Sequence, residues 1–217
     1  MAEYDLTMPL FEAGIRKLRM GDIVYYSGVV HTMRDMGHRR AVEILTKNEE
    51  LPFKQFREGV LWHCGPIVSF DSGKWRIFSA GSTTSSRFTN LGAELIKLCK
   101  IRLTIGKGTM GNKAVSQMKE TGSCYLNSTG GCGALYGKKI KSVLEVYWQD
   151  LGLPEAIWTL EVEKLGPLVV GIDTLGNSIF DAKKIEMKKE IEKVYKQSRL
   201  SFGYDYSYLP KRIPGRG

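Results

Sequence analysis

Ile101-Arg102-Leu103-Thr104-Ile105-Gly106-Lys107-Gly108-Thr109-Met110-Gly111 is the run of residues that sorts this chain into a fold class. Its first half reads as a strand and its second as a glycine-rich turn, with a helix following at about Lys113–Lys119. The same order holds on either side. Upstream, the strand-like Trp75-Arg76-Ile77-Phe78-Ser79 leads into Gly81-Ser82-Thr83-Thr84-Ser85-Ser86-Arg87. Phe88, Leu91, Leu95 and Leu98 then recur three or four apart, which predicts an amphipathic helix over Arg87–Cys99. Downstream, a strand at Ser123–Leu126 runs into Ser128-Thr129-Gly130-Gly131-Cys132-Gly133 and another short helix. Strand, loop and helix three times in succession predict a parallel α/β sheet.

The rest of the chain fits around that centre. Residues 1–19 read as a lead-in, extended at Leu6–Leu10 and helical around Glu12–Leu18. Gly21–Val30 alternates and carries β-branched and aromatic residues, so it predicts strand, and Met33–Leu45 predicts a helix or an irregular basic segment. Val60–His63 and Trp75–Ser79 read as two strands joined by the turn Asp71-Ser72-Gly73-Lys74. Further strands are expected near Val143–Trp148, Ile157–Val162 and Leu168–Ile172, then a turn at Leu175-Gly176-Asn177 and a long helix over Ala182–Gln197. With no repeat and no interior linker, one domain over 1–217 is the economical reading, ending in a flexible tail at 201–217.

Composition narrows the function classes. At 42% hydrophobic and 25% charged, the 217 residues suit one globular domain, and no apolar run approaches the ~18 residues of a membrane helix. The N-terminus is polar, unlike a signal peptide, and Cys64, Cys99, Cys124 and Cys132 are scattered, so reduced thiols in a cytoplasmic protein are expected. The net charge of +9 permits nucleic acid, anionic substrates or an acidic partner. Part of the excess lies at 183–199, where Lys183, Lys184, Lys188 and Lys189 interleave with Glu186 and Glu190; that spacing marks a solvated helix face. No aromatic stacking ribbon stands out, so nucleic acid is not expected, and a non-catalytic anion- or nucleic-acid-binding module is the alternative from another class.

The two loops around residues 81–87 and 106–111 each deliver a cation beside small residues. A helix start leaves about four N–H groups unpaired and carries roughly half a positive charge. Hydroxyls, glycines and a fixed cation there suit an anion, and two such loops side by side suit a molecule with two negative ends. Gly106-x-Gly108-x-x-Gly111 also matches a dinucleotide fingerprint. The acidic residue expected about 20 positions on is missing, and Asn112 stands where a phosphate loop needs Lys, so a nucleotide site is disfavoured. No metal site is expected: His31 and His38 are too far apart in sequence, and His63-Cys64 has no second pair at ligand spacing. Arg34-Asp35, directly after a strand and followed by His38, Arg39 and Arg40, could hold a carboxylate in the planar fork of arginine or form a surface ion-pair cluster.

Several ordered motifs together resemble a known family. They are Gly21-Asp22 with Ser27-Gly28, Thr32-x-Arg34-Asp35-x-x-His38-x-Arg40, Gly65-Pro66-x-Val68 and Thr83-Thr84-Ser85-x-Arg87. They continue as Ile105-Gly106-Lys107-Gly108-x-Met110, Glu155-Ala156-x-Trp158-x-Leu160-Glu161-Val162 and Asp173-x-x-Gly176-Asn177-Ser178. The chain resembles the beta subunit of class I hydro-lyases, the iron–sulfur fumarate hydratases and L-tartrate dehydratases. The resemblance implies a three-layer swivelling β/β/α domain that closes over an alpha subunit carrying a 4Fe-4S iron–sulfur cluster, in an assembly of two alpha and two beta chains. It implies reversible hydration of a small dicarboxylate, fumarate to L-malate first and L-tartrate dehydration as the alternative. It also implies that Arg34, Arg87 and Lys107 bind substrate carboxylates, that Thr83 takes part in proton transfer, and that Asp35, His38, Thr84, Gly106 and Gly108 support them. No metal ligand is implied in this chain. Three departures stand out: Ser82 for the usual proline, which could loosen the loop carrying Thr83, Phe88 for methionine, and Gly37 for alanine. A bare helix-capping role is the dull alternative for Thr83.

Overall fold

The computed structural model of the chain describes residues 1–198. It is a mixed α/β protein. The chain runs through β1 (Glu3–Thr7), α1 (Glu12–Ile15), β2 (Ile23–Thr32), α2 (Asp35–Thr46), β3 (Val60–Trp62), β4 (Ile67–Asp71) and β5 (Lys74–Ser79). It continues through α3 (Thr89–Cys99), β6 (Leu103–Gly106), α4 (Asn112–Thr121), β7 (Cys124–Asn127), α5 (Gly133–Gly137), β8 (Ile140–Tyr147), β9 (Ile157–Ile172) and α6 (Ile179–Gln197).

Seven strands form one sheet in the order β1-β2-β3-β6-β7-β9-β8, and a further β2–β9 pairing closes the middle of it into a ring. β1, β2, β3, β6 and β7 run parallel to one another, as the strand–loop–helix repeat predicts. β9 is antiparallel to β2, β7 and β8, so the sheet is mixed. The two strands expected at 157–162 and 168–172 are one 16-residue strand. Its irregular middle, with Lys164 at φ 46° and a cis Gly166-Pro167 bond, is what reads as a break in the sequence. The opening segment, expected as a lead-in, pairs with β2 as an edge strand.

One expected connection is corrected. Val60–Trp62 and Lys74–Ser79 are not hairpin partners: β5 pairs with β4 in a separate two-stranded sheet, while β3 sits in the main sheet between β2 and β6. Ile67-Val68-Ser69-Phe70 supplies that missed strand, and the turn at Asp71–Lys74 is the hairpin turn as expected, between different strands.

Period-two alternation sends the sheet's side chains into two cores. Val60, Trp62, Leu103, Ile105, Cys124 and Leu126 face one, with Trp158, Leu160 and Leu168 of β9. Leu61 and Tyr125 face the other, where Ala41 of α2, Leu95 and Ile96 of α3 and Ala114 and Met118 of α4 cover the sheet. A one-residue slip would exchange the two sets, so burial on both faces holds the register.

Residues 1–180 form one compact unit, and the described residues from Asp181 onward belong to a second. The described part of the second is the body of α6, where Lys183 pairs with Glu186 and Lys193 with Glu190, in keeping with a solvated charged face; Ile185, Met187 and Val194 are exposed on it too. The expected tail at 201–217 lies outside the described residues. Among the described residues, no helix is long and apolar enough to cross a membrane.

Candidate functional site

Four neighbouring parallel strands end along one edge, and the sequence-predicted residues follow those ends directly. Arg34 comes two residues after β2, His63 follows β3, Lys107 follows β6 and Ser128 follows β7. In α/β sheets ligands gather beyond the carboxyl ends of parallel strands, where loops leave the ladder together.

The Thr83 loop is laced into this edge by backbone bonds. The Thr83 N–H donates to the His63 carbonyl at 2.7 Å, Lys107 N–H to the Thr83 carbonyl at 3.3 Å, and Ser85 N–H to the Lys107 carbonyl at 3.0 Å. Thr84 thereby forms a parallel bridge with Lys107. The two cation-bearing loops, distant on the chain, are hydrogen-bonded side by side. Gly108 takes φ +74°, which a side chain would strain, and lets the chain turn away just past Lys107. A methyl at Gly106 would overlap the Ser85 hydroxyl and stand 2.9 Å from the Tyr125 hydroxyl, so only glycine lets the two loops close up.

Ser82 does not loosen the loop. Its Oγ accepts the Trp62 Nε1–H at 2.7 Å and the Ser128 hydroxyl at 2.5 Å, and its backbone bridges Cys64, so the residue in proline's place is pinned on three sides. Thr83 does not cap a helix either. Thr84 occupies the cap position of a short 3₁₀ turn, Ser85–Phe88, and makes no side-chain cap bond. The Thr83 hydroxyl instead accepts a hydrogen bond from Arg87 Nη2 at 3.0 Å. The helix starts contribute less than expected: the 3₁₀ turn is only four residues long, and the first N–H at the α4 start, Gly111, is already bonded to Thr89 Oγ1 at 2.9 Å.

Arg87 Nη2 also pairs with Asp35 Oδ2 at 3.0 Å, which brings the start of α2 to the same edge. Arg34, at the cap position before Asp35, lies 28% exposed, with Nε 3.7 Å from Glu155 Oε1 and no hydrogen bond to that nitrogen among the described residues. Its stem passes over Gly65, where a methyl would stand 2.7 Å from Arg34 Cδ. Lys107 is half-buried, its stem running beside Gly130, and its ammonium has no ion pair among the described residues. The edge therefore holds Thr83, Arg87 and Asp35 in direct contact, Lys107 joined through backbone, and Arg34 beside Asp35 with its head turned towards Glu155.

Beneath these groups the site is buried and its histidines are neutral. His38 is fully buried, and burial pushes its pKa down to about 4 against the opposing pull of the Arg34 carbonyl and the Asp35 charge. His63 is held well below the ordinary histidine value by burial, then by His38 and Arg87. Both rings are thus uncharged at neutral pH. Burial also pushes the Tyr125 hydroxyl upward, so it serves as a donor to Ser85 Oγ at 2.9 Å.

The described cysteines are poor ligands for an iron–sulfur cluster. Cys64, Cys99 and Cys124 are buried with thiols pushed upward by burial, to about 11 for Cys99 and about 12 for Cys124, whereas a cluster needs accessible thiolates. Among the described residues no three His, Cys, Asp or Glu side chains are grouped to hold a metal.

Residue patterns alone passed over Ser85, Tyr125 and Glu155. Ser85 Oγ sits 2.8 Å from His63 Nδ1, and Glu155 accepts the Met36 N–H at 2.8 Å beside Arg34. Ser85 and Glu155 fall inside motifs quoted above, but single-strand spacing could not say what they touch. Tyr125 carried no signal beyond a buried aromatic.

Fold and edge define a class: a mixed α/β domain presenting arginine, lysine and a threonine hydroxyl at the carboxyl ends of parallel strands. Residues 1–183 match the family described as Fumarase C-terminus, and the chain belongs to that family. It is 42% identical over 173 residues to the "Putative L(+)-tartrate dehydratase subunit beta" of Methanocaldococcus jannaschii, covering 79% of this chain and 88% of that one. The L(+)-tartrate dehydratase subunit beta of Escherichia coli strain K12 is 33% identical over 179 residues, 82% and 87% of the two chains. A "Putative fumarate hydratase class I" of Geobacillus stearothermophilus is 35% identical over 186 residues, 85% of this chain and 35% of that longer protein.

Proposed function

We propose that this chain is the beta-type subunit of a hydro-lyase that adds water to, or removes it from, a small dicarboxylate, and that it acts with an alpha-type partner. The observation that carries the reading is the Arg87–Thr83 hydrogen bond in a loop laced to Lys107. Removing water from a 2-hydroxy diacid needs a base for a weakly acidic C–H, and a threonine hydroxyl is a poor base at its ordinary pKa. A guanidinium donating to that oxygen, with the cationic Lys107 joined to Thr83 through the backbone, favours the alkoxide, more strongly once closure excludes water. Thr83 Oγ1 then takes the proton from carbon, or returns it in hydration. Arg34 grips one carboxylate, and Arg87 and Lys107 meet the charge that builds on the other. Asp35 holds Arg87 until substrate arrives. The electrophile for the departing hydroxide has no candidate among this chain's described residues; we assign it to a 4Fe-4S cluster on the partner, over which this domain swivels shut.

Likeness over most of both chains to two proteins named as tartrate dehydratase beta subunits favours L-tartrate, while the class I fumarate hydratase match keeps fumarate and L-malate as the second reading. The test is anaerobic reconstitution of the full chain with its alpha-type partner, with turnover of L-tartrate, fumarate and L-malate measured for each chain alone and for the pair. Activity in the pair only is expected. No turnover of any of these acids would reject the reading.

A further inference from the structure

Under Arg34, Arg87 and Thr83 lies a buried aromatic layer that the proposed chemistry does not use. The His38 ring stacks on Phe88, centroids 4.5 Å apart and planes 3° from parallel. His63 packs on Phe88 at 4.5 Å, and the two histidines are 5.1 Å apart. All three side chains are buried. Each of the three residues is tied to a group at the edge. His38 Nδ1 lies 2.8 Å from the Arg34 carbonyl, which also accepts the His38 backbone N–H at 2.9 Å. A carbonyl can only accept, so Nδ1 carries the proton of the neutral ring. Phe88 follows Arg87 in the chain, and the His63 carbonyl holds Thr83.

At the surface the Arg34 and Arg87 loops are tied by the Asp35–Arg87 pair, with side chains 48% and 45% exposed. An exposed pair is screened and weak, and a substrate carboxylate would compete for it. Stacked buried rings are neither. Resting on the hydro-lyase reading above, we propose that the His38–Phe88–His63 stack is a positioning element that sets the span between the Arg34 and Arg87 guanidinium groups and thereby selects the chain length of the diacid.

Calorimetric titration of the full chain bound to its alpha-type partner, with malonate, succinate and glutarate as probes, reads the span directly. One methylene more or less should change wild-type affinity by about tenfold or more. Phe88→Leu fills the pocket without a flat face, and His38→Asn keeps a donor for the Arg34 carbonyl without a ring. Both should compress the differences among the three acids to about threefold while melting as cooperatively as wild type. His38→Phe restores the stack and should recover discrimination better than His38→Asn. Wild-type discrimination retained in a folded Phe88→Leu protein overturns the inference, even if the pair turns over its substrate. Length discrimination lost in the variants of a complex that turns over none of the candidate acids would leave the span assignment standing and remove the hydro-lyase reading alone.

Discussion

At the scale of single residues, the site depends on hydrogen-bond direction. Arg87 donates to the Thr83 oxygen and Thr84 leaves the turn uncapped, so the hydroxyl is free of a structural task. Thr83→Ala should therefore lower turnover by about 10²-fold or more, the scale of a lost acid–base group. The melting temperature should stay within about 2 °C of wild type, because no buried bond and little apolar area are removed. Thr83→Ser, which keeps the oxygen, should recover much of the rate. A large fall in melting temperature with retained turnover would show instead that the threonine is structural. Identity of this kind was readable from the motif Thr83-Thr84-Ser85-x-Arg87. The fate of the hydroxyl was not, because a threonine before a helical segment reads as a cap until the donors around it are known.

At the scale of elements, the chain buries all three of its histidines, His31, His38 and His63. His31 sits on β2 between Phe53 and Phe56, and burial pushes it down to about 4, as for His38. The native state thus refuses protons that the unfolded chain accepts below its ordinary value of about 6.5. This stabilisation is fully present above about pH 7 and is lost as pH falls from about 6.5 towards 4. Between pH 7.5 and pH 5 the loss is about 2 kcal/mol for each histidine so shifted. Urea midpoints measured at those two pH values should fall on acidification, and His31→Phe should shrink the fall by one histidine's share. An unchanged midpoint would mean that these rings are solvated. The three histidines were visible in the sequence, where spacing excluded a metal pair; their burial depends on α2, α3 and the Phe53–Phe56 segment covering one face of the sheet.

At the scale of the whole molecule, β6 separates a supporting end from a working end. Arg102 precedes the strand and Lys107 follows it. The Arg102 guanidinium, 7% exposed, bonds Glu12 at the start of α1, Glu58 before β3 and the Thr121 carbonyl at the end of α4. Arg102→Ala should cost about 2–3 kcal/mol in urea unfolding, near the low end for a broken buried pair because both glutamates can turn to water. Its kcat in the reconstituted pair should match wild type at a temperature where the variant is folded; a matching loss of rate would mean that the two ends are coupled. Local pattern was enough to reveal the strand–loop–helix alternation, the glycine-rich loops and the cations they carry, since propensity and periodicity are properties of neighbouring residues. It misassigned β5, whose pairing with β4 rather than β3 is a contact with no local signature, and it split β9 where a bulged strand looks broken. Family likeness named the residues of the edge. Folding alone could show Thr83 wedged between His63 and Lys107, Ser82 pinned in proline's place and Phe88 stacked on His38. Those contacts join strands far apart in the chain, and their geometry follows from ladder register and two-sided burial, which no short window of sequence contains.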